Sequence, residues 1–212
     1  MTTQDYGILF DKLLKDNEDE MGFIATVFGK IYEDAIKPWF EVNGYKLLGR
    51  PSVYLNGKYD HKTYDFTIQK GNTVLIVEAK AWLNYENGKY LFLDMKNIKA
   101  FYEQFNDFLK NLDLHIKGLE IKADGELIDS KRNNIKKALA VWDFNENEKS
   151  RIINEFNLIF KKGKSIAEIF SIKRMIFELR NSHNSIYNNF IKEKKNIILK
   201  LFHELSAEGV KA

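Results

Sequence analysis

Residues 64 to 80 read Tyr64-Asp65-Phe66-Thr67-Ile68-Gln69-Lys70-Gly71-Asn72-Thr73-Val74-Leu75-Ile76-Val77-Glu78-Ala79-Lys80, and their reading decides the fold. The first six alternate in polarity, the last eight form a short β-rich run, and Gly71-Asn72 between them is turn chemistry, so a β-hairpin is expected. With Gly71 and Asn72 as its two loop residues, 70 faces 73, 69 faces 74, and Asp65 lies opposite Glu78. Directly opposed residues on antiparallel strands hold their Cβ atoms about 4.5–5.5 Å apart, and like charges placed there repel. Compensation is expected from Lys80, two residues beyond Glu78 and so on its face, and from a hard divalent cation held by both carboxylates. The plain structural alternative is a solvated Asp/Glu/Lys cluster on a sheet face. A register slip of one residue would turn the two carboxylates to opposite faces.

Context singles out this acid-lysine pair. Glu-x-Lys or Asp-x-Lys occurs six times, but only Glu78 and Lys80 end a strongly apolar strand behind a tight turn and a second strand. Asp94-Met95-Lys96 is a rival register that lacks an upstream acid as well placed as Asp65.

Outward from the hairpin, Tyr45 to Leu48 and Val53 to Leu55 look extended, with Asn56-Gly57 as a further turn and a ribbon over Lys89 to Asp94. Helical spacing marks residues 4–15, 19–37 (ending near Pro38), 97–110, 146–160, 165–180 and 186–205, and a buried strand is expected over 137–143. The order is α/β with a helical C-terminal part. Two prolines and no Ser/Gly-rich stretch leave no linker, so the expected division is a core with N-terminal helices over 1–145 and a helical extension packed on it over 146–212.

Composition narrows the function classes. The 212 residues are 44% hydrophobic and 30% charged, which suits a globular domain and excludes disorder or collagen. No apolar run approaches the roughly 18 residues of a membrane span, and Met1-Thr2-Thr3-Gln4-Asp5 lacks the order of a signal peptide, so a soluble, cytoplasmic protein is expected. Absence of cysteine excludes disulfides, thiolate zinc sites and cysteine nucleophiles. His61, His115, His183 and His203 never fall at i, i+4 spacing, and no GxxxxGK[ST] loop exists, so neither a helical zinc pair nor a nucleotide cofactor is expected. The net charge of +3 divides into −5 over residues 1–130 and +8 over 131–212. That basic excess could attract nucleic acid or simply solvate a lysine-rich helical surface.

The series Gly29-x-x-x-Glu33, Gly44-Tyr45, Arg50-Pro51-Ser52, Asp65-Phe66-Thr67-Ile68 and Gly71 to Lys80 resembles the PD-(D/E)XK nuclease superfamily over about residues 25–110. Within it the sequence looks most like archaeal Holliday-junction resolvases, and it is also similar to a nuclease of crenarchaeal spindle-shaped viruses (fuselloviruses). The resemblance implies a restriction-endonuclease-like core, a mixed β-sheet flanked by helices, with a helical C-terminal extension. Asp65 matches the first acid of the motif, Glu78 the second, Lys80 the lysine and Glu33 the helix-borne acid, while Tyr64 stands where the name-giving proline would be. It further implies a Mg²⁺ or Mn²⁺ ion held by Asp65, Glu78 and the Ala79 carbonyl, with Glu33 ligating directly or through water, and hydrolysis of DNA phosphodiesters to 5′-phosphate and 3′-hydroxyl ends. Lys80 would orient the attacking water or stabilise the transition state. DNA, branched DNA included, would be the partner of a homodimer, in the host cytoplasm if the source is viral.

Weaker candidates surround this set. Arg50 and Ser52 either contact the phosphate near the scissile bond or are ordinary turn residues. Lys131-Arg132, Lys136-Lys137, Lys161, Lys162 and Lys164, and Lys192 with Lys194-Lys195 are either DNA-backbone contacts or solvated charge runs. The competing functions are a non-catalytic nucleic-acid-binding protein on a nuclease-like core, and a restriction enzyme with base-specific contacts.

Overall fold

The computed structural model describes residues 31–84, 89–90, 92–105, 108–109, 112–115, 117–129, 132–159 and 165–208. The helices expected before residue 31 lie outside them. Residues 31–35 are helical, a turn at Ile36 interrupts the helix, and helix α1 (Lys37–Val42) follows with Pro38 in its first turn. The preceding helix thus ends close to Pro38 as expected, and Pro38 also opens the next one, because a first-turn residue has no intrahelical partner for the N–H that proline lacks.

Strands β1 (Lys46–Gly49), β2 (Pro51–Leu55), β3 (Lys58–Thr63), β4 (Phe66–Lys70) and β5 (Thr73–Lys80) come next, then the short β6 (Trp82–Asn84), β7 (Lys89–Tyr90) and β8 (Phe92–Leu93). Helix α2 (Ile98–Gln104) is followed by β9 (Leu119–Ala123), β10 (Glu126–Leu127), β11 (Asn134–Val141) and β12 (Asp143–Phe144). The chain closes with α3 (Lys149–Ile159), β13 (Ile166–Ser171), α4 (Ile172–Asn181) and α5 (Ser185–Glu208).

Five strands form the central sheet in the order β1-β4-β5-β11-β13. β4 is antiparallel to both of its neighbours, β1 and β5, and β11 runs parallel to both β5 and β13. Parallel neighbours require crossover connections, and these place helices on the sheet faces. On one face Leu75 and Val77 pack with Ile36, Phe40 and Met175, and on the other Val74 and Ile76 pack with Phe101, Phe105 and Phe156. β5 is covered on both sides, which is why it reads as a continuous apolar run rather than an alternating one. The fold is thus the expected α/β class, a mixed sheet flanked by helices with a helical C-terminal end. Among the described residues no helix is long and apolar enough to cross a membrane.

One expectation changes, and a second sheet is added. Residues 165–180 are not one helix: β13 completes the central sheet, and Ser171 then caps α4 by accepting the Arg174 N–H. Ile166, Ile169 and Phe170 are buried as strand residues on opposite faces, and a serine at the join is a helix-starting signal. A second sheet of order β10-β9-β2-β3 takes β2 and β3 away from the strands that flank them in sequence, β1 and β4, which pair in the central sheet. Its β9–β10 hairpin was not anticipated, although Asp124-Gly125, both at positive φ, follow an alternating Leu119-Glu120-Ile121-Lys122-Ala123.

Gly49 ends β1 at φ 98°, where an added Cβ would meet the Asp124 carboxylate at 1.9–2.3 Å. Asp124 is held there because its Oδ1 accepts the Arg50 N–H at 3.1 Å. Gly49→Ala is therefore expected to destabilise the protein by about 1–3 kcal/mol through strain and overpacking, read as a lower melting temperature.

Candidate active site

Lys70 pairs with Thr73 and the ladder runs back to Phe66 opposite Val77, so the hairpin register is the expected one. Gly71, at φ 57°, takes the left-handed conformation that the first position of this two-residue loop demands. One step beyond Phe66 the ladder stops. By its alternation the Ala79 N–H would next meet the Tyr64 carbonyl. Instead it donates to Asp65 Oδ2 at 2.6 Å, and the Tyr64 carbonyl accepts Arg50 Nε at 3.3 Å. The Asp65 carboxylate thus substitutes for main chain at the open end of the hairpin, and this fixes it beside Glu78.

Glu78 lies on β5 opposite Leu139 of β11, with only 17% of its side chain exposed. Burial, the negative charge of Asp65 and, more weakly, that of Glu33 push its carboxyl up to about 8, against a smaller lowering by Lys80. Lys80 Nζ is 3.6 Å from Glu78 Oε1, an ion pair longer than a hydrogen bond. Glu33 reaches the neighbourhood from the helical residues 31–35, which the Tyr32 ring anchors edge-on to Trp142 at 5.1 Å. Trp142 directly follows Val141, the residue paired with Lys80, so the helix end sits over the end of the sheet. Asp65, Glu78, Lys80 and Glu33 therefore occupy one neighbourhood.

Among the described residues no three carboxylate or imidazole side chains converge closely enough to form a metal site by themselves. The donor set nonetheless fits a small hard cation. Asp65 and Glu78 offer carboxylate oxygens, and the N–H and C=O of one strand residue point the same way, so the Ala79 carbonyl faces the side on which its N–H meets Asp65. Magnesium keeps several waters and asks for only one or two carboxylates. Burial raises the Glu78 carboxyl most, and the repulsion from Asp65 that adds to it would be relieved by a dication.

Arg50 lies at the edge of the site through its bond to Tyr64. Ser52 belongs to the second sheet, half-buried on β2 between Thr63 and Lys122. Lys161, Lys162 and Lys164, with Lys131, fall outside the described residues. Arg132 pairs with Asp129 at 3.3 Å.

Two of the expected basic contacts are corrected. Lys137 is fully buried: its Nζ donates to the Leu109 and Leu112 carbonyls at 3.2 and 2.9 Å and lies 5.4 Å from the Phe108 ring centre. Position 137 points to the α2 face of the sheet, where only a long donor reaches the Leu109 and Leu112 carbonyls. Lys194 is buried on α5 with Nζ 5.2 Å from the Phe190 ring centre. The rival acid Asp94 has a local task, since its Oδ1 accepts the N–H groups of Lys96 and Asn97 ahead of α2.

A polar cluster at the same end of the sheet was not foreseen. Asp143 is buried, which raises its carboxyl, but Ser171 Oγ at 2.9 Å, Lys173 Nζ at 3.2 Å, the Phe144 N–H and Arg174 outweigh burial and hold it below the usual carboxylate range. Arg174 also bonds Glu146 and the Phe144 carbonyl and lies 4.6 Å from the Phe144 ring centre. Nothing at Asp143 itself signals this, because its partners lie about thirty residues away in sequence.

No family model and no curated protein matches the chain. A solved structure described as restriction endonuclease FokI bound to DNA is similar at a TM-score of 0.37 and 15% identity, over 81% of this chain and 29% of that one. The chain thus spans less than a third of that protein, and a likeness of this size carries no argument about its chemistry.

Proposed function

We propose that the chain is a divalent-metal-dependent DNA endonuclease, selective for branched or otherwise interrupted DNA and acting as a homodimer. The observation that carries this reading is the pairing of Asp65 with a buried Glu78 at the open end of one hairpin, with Lys80 on the same face. Such a pair is costly for a scaffold to keep and useful only where positive charge arrives. When bound, Mg²⁺ or Mn²⁺ would supply Lewis acidity toward a phosphate oxygen and a lowered pKa for water. Asp65, Glu78 and the Ala79 carbonyl would hold the cation, and Glu33 would ligate it from the helix directly or through water. Lys80 is placed to orient the attacking water or to neutralise charge on the phosphate as it develops. Arg50, tethered through one nitrogen, keeps the rest of its guanidinium fork for a neighbouring phosphate.

The deciding experiment incubates the protein with labelled linear, nicked and four-way-junction DNA in Mg²⁺, Mn²⁺ or chelator. Cleavage that requires metal and favours the interrupted substrates is expected; no cleavage of any substrate overturns the reading. The lack of a third converging carboxylate among the described residues favours, as second reading, a nucleic-acid-binding protein on the same core, which would bind these DNAs without cutting them.

Metal should also stabilise the fold. The folded state holds the Glu78 proton more tightly than an unfolded chain does, so metal-free stability falls as pH rises from about 4.5 toward 8, where Glu78 must ionise beside Asp65. Millimolar Mg²⁺ or Mn²⁺ is expected to raise the melting temperature by about 2–8 °C at pH 8 and less at pH 5. Glu78→Gln should abolish both the pH slope and the metal effect. Identical melting with and without metal at pH 8 would support the solvated-cluster alternative.

A further inference from the structure

Two bonds at the open end of the hairpin stand where two others could form. Behind a two-residue loop, the pairs that exchange both main-chain bonds are Lys70 with Thr73, Ile68 with Leu75 and Phe66 with Val77. The next would be Tyr64 with Ala79, each N–H donating to the other's carbonyl. That step would engage the Ala79 carbonyl, which is wanted for the cation, and would take from the Asp65 carboxylate the N–H that fixes it.

The ladder stops short because Asp65 Oδ2 accepts the Ala79 N–H at 2.6 Å and Arg50 Nε donates to the Tyr64 carbonyl at 3.3 Å. Each of these bonds has one ionised partner, which makes it roughly twice as strong as a neutral one. Together they outweigh two main-chain bonds; either alone would only match them. Without Arg50 the carbonyl of the buried Tyr64 also loses this donor, and that tips the balance toward the closed ladder. Arg50 is in turn clamped from the second sheet, since its N–H donates to Asp124 Oδ1 at 3.1 Å and its carbonyl accepts the Asp124 N–H at 3.3 Å. We propose that Arg50 is a positioning residue of the metal site: it latches the Tyr64 carbonyl and so keeps Asp65 and the Ala79 carbonyl available to the cation, with Asp124 holding the latch in place. The inference rests on the nuclease reading and deepens it, because it gives Arg50 a task that precedes any contact with phosphate.

The test measures Mn²⁺ binding to DNA-free protein by calorimetry and, without metal, the Ala79 amide proton by NMR. Arg50→Gln puts an amide nitrogen where Nε stands but removes the charge, whereas Arg50→Met keeps the stem and removes both; Arg50 is exposed, so both variants should fold. Arg50→Met is expected to bind Mn²⁺ about 10-fold or more weakly, as loss of a ligand's support does. Arg50→Gln should bind it at least as tightly as wild type. A residue acting through charge alone predicts instead that both variants bind the cation equally and more tightly than wild type. Asp124→Gly, which suits φ 48°, should weaken Mn²⁺ binding as Arg50→Met does, and Asp124→Asn, which keeps an acceptor oxygen, should retain it. In wild type and Arg50→Gln the Ala79 amide proton should lie far downfield, as a short bond to a carboxylate places it, and in Arg50→Met it should return toward ordinary strand values. Equal Mn²⁺ affinity of the two Arg50 variants, or an Ala79 resonance unmoved by Arg50→Met, overturns this inference while wild-type cleavage leaves the nuclease reading standing. Failure of the wild type to bind millimolar Mn²⁺ overturns the nuclease reading, and the Ala79 resonance, read without metal, still decides whether Arg50 is the latch.

Discussion

Asp65→Asn, Glu78→Gln and Lys80→Ala are each expected to lower DNA cleavage by about 10²–10³-fold or more, because each removes a charge from the site where charge develops. The three should differ in stability. The amide introduced by Asp65→Asn keeps an oxygen for the Ala79 N–H, so this variant preserves the bond that ends the ladder and should melt near wild type. Glu78→Gln removes a buried charge whose ionisation is disfavoured, and should melt above wild type in metal-free buffer near pH 8. Lys80→Ala takes away the nearest opposing charge and should push Glu78 still further toward its neutral form. Cleavage rates, DNA anisotropy and melting curves on the same preparations separate loss of chemistry from loss of fold. Wild-type cleavage by Asp65→Asn would sink the assignment, since a neutral amide cannot replace a carboxylate facing a dication.

What the sequence made legible follows how local each signal is. The Gly71-Asn72 loop sets its own register, and that register carries Asp65, Glu78 and Lys80 to one place with no information from elsewhere in the chain. The apolar runs of β5 and β11 likewise announce strands covered on both faces. Helical spacing over 165–180 misled because Ile166, Ile169 and Phe170 satisfy a helical period as well as a strand buried on two sides, and only pairing with β11 decides between them. The Ala79–Asp65 bond was illegible for a different reason: main-chain substitution by a side chain depends on where a ladder stops, which residue types alone do not encode. Lys137 shows the limit most sharply, because a lysine beside a lysine reads as surface charge until the carbonyls that need its protons come into view.

That lysine gives the largest stability effect expected outside the site. Lys137→Met keeps the stem and removes the donors, leaving the Leu109 and Leu112 carbonyls without this partner, a loss of about 1–3 kcal/mol. Lys137→Ala also removes the stem from a fully buried position, and the resulting cavity brings the expected loss to about 3–5 kcal/mol. In a chain of this size each kcal/mol corresponds to about 2–4 °C, so the alanine variant should melt roughly 6–20 °C below wild type, with the methionine variant between them. Urea unfolding should rank the three proteins in the same order. A surface lysine bound to a DNA phosphate predicts the reverse pattern: unchanged melting, weaker DNA binding and a salt slope reduced by about one unit. An interior lysine leaves the salt slope of the folded variants untouched, because no counterion is released by a charge that never meets the DNA. Melting within about a degree of wild type for Lys137→Ala, together with a shallower salt slope, would return Lys137 to the surface contacts.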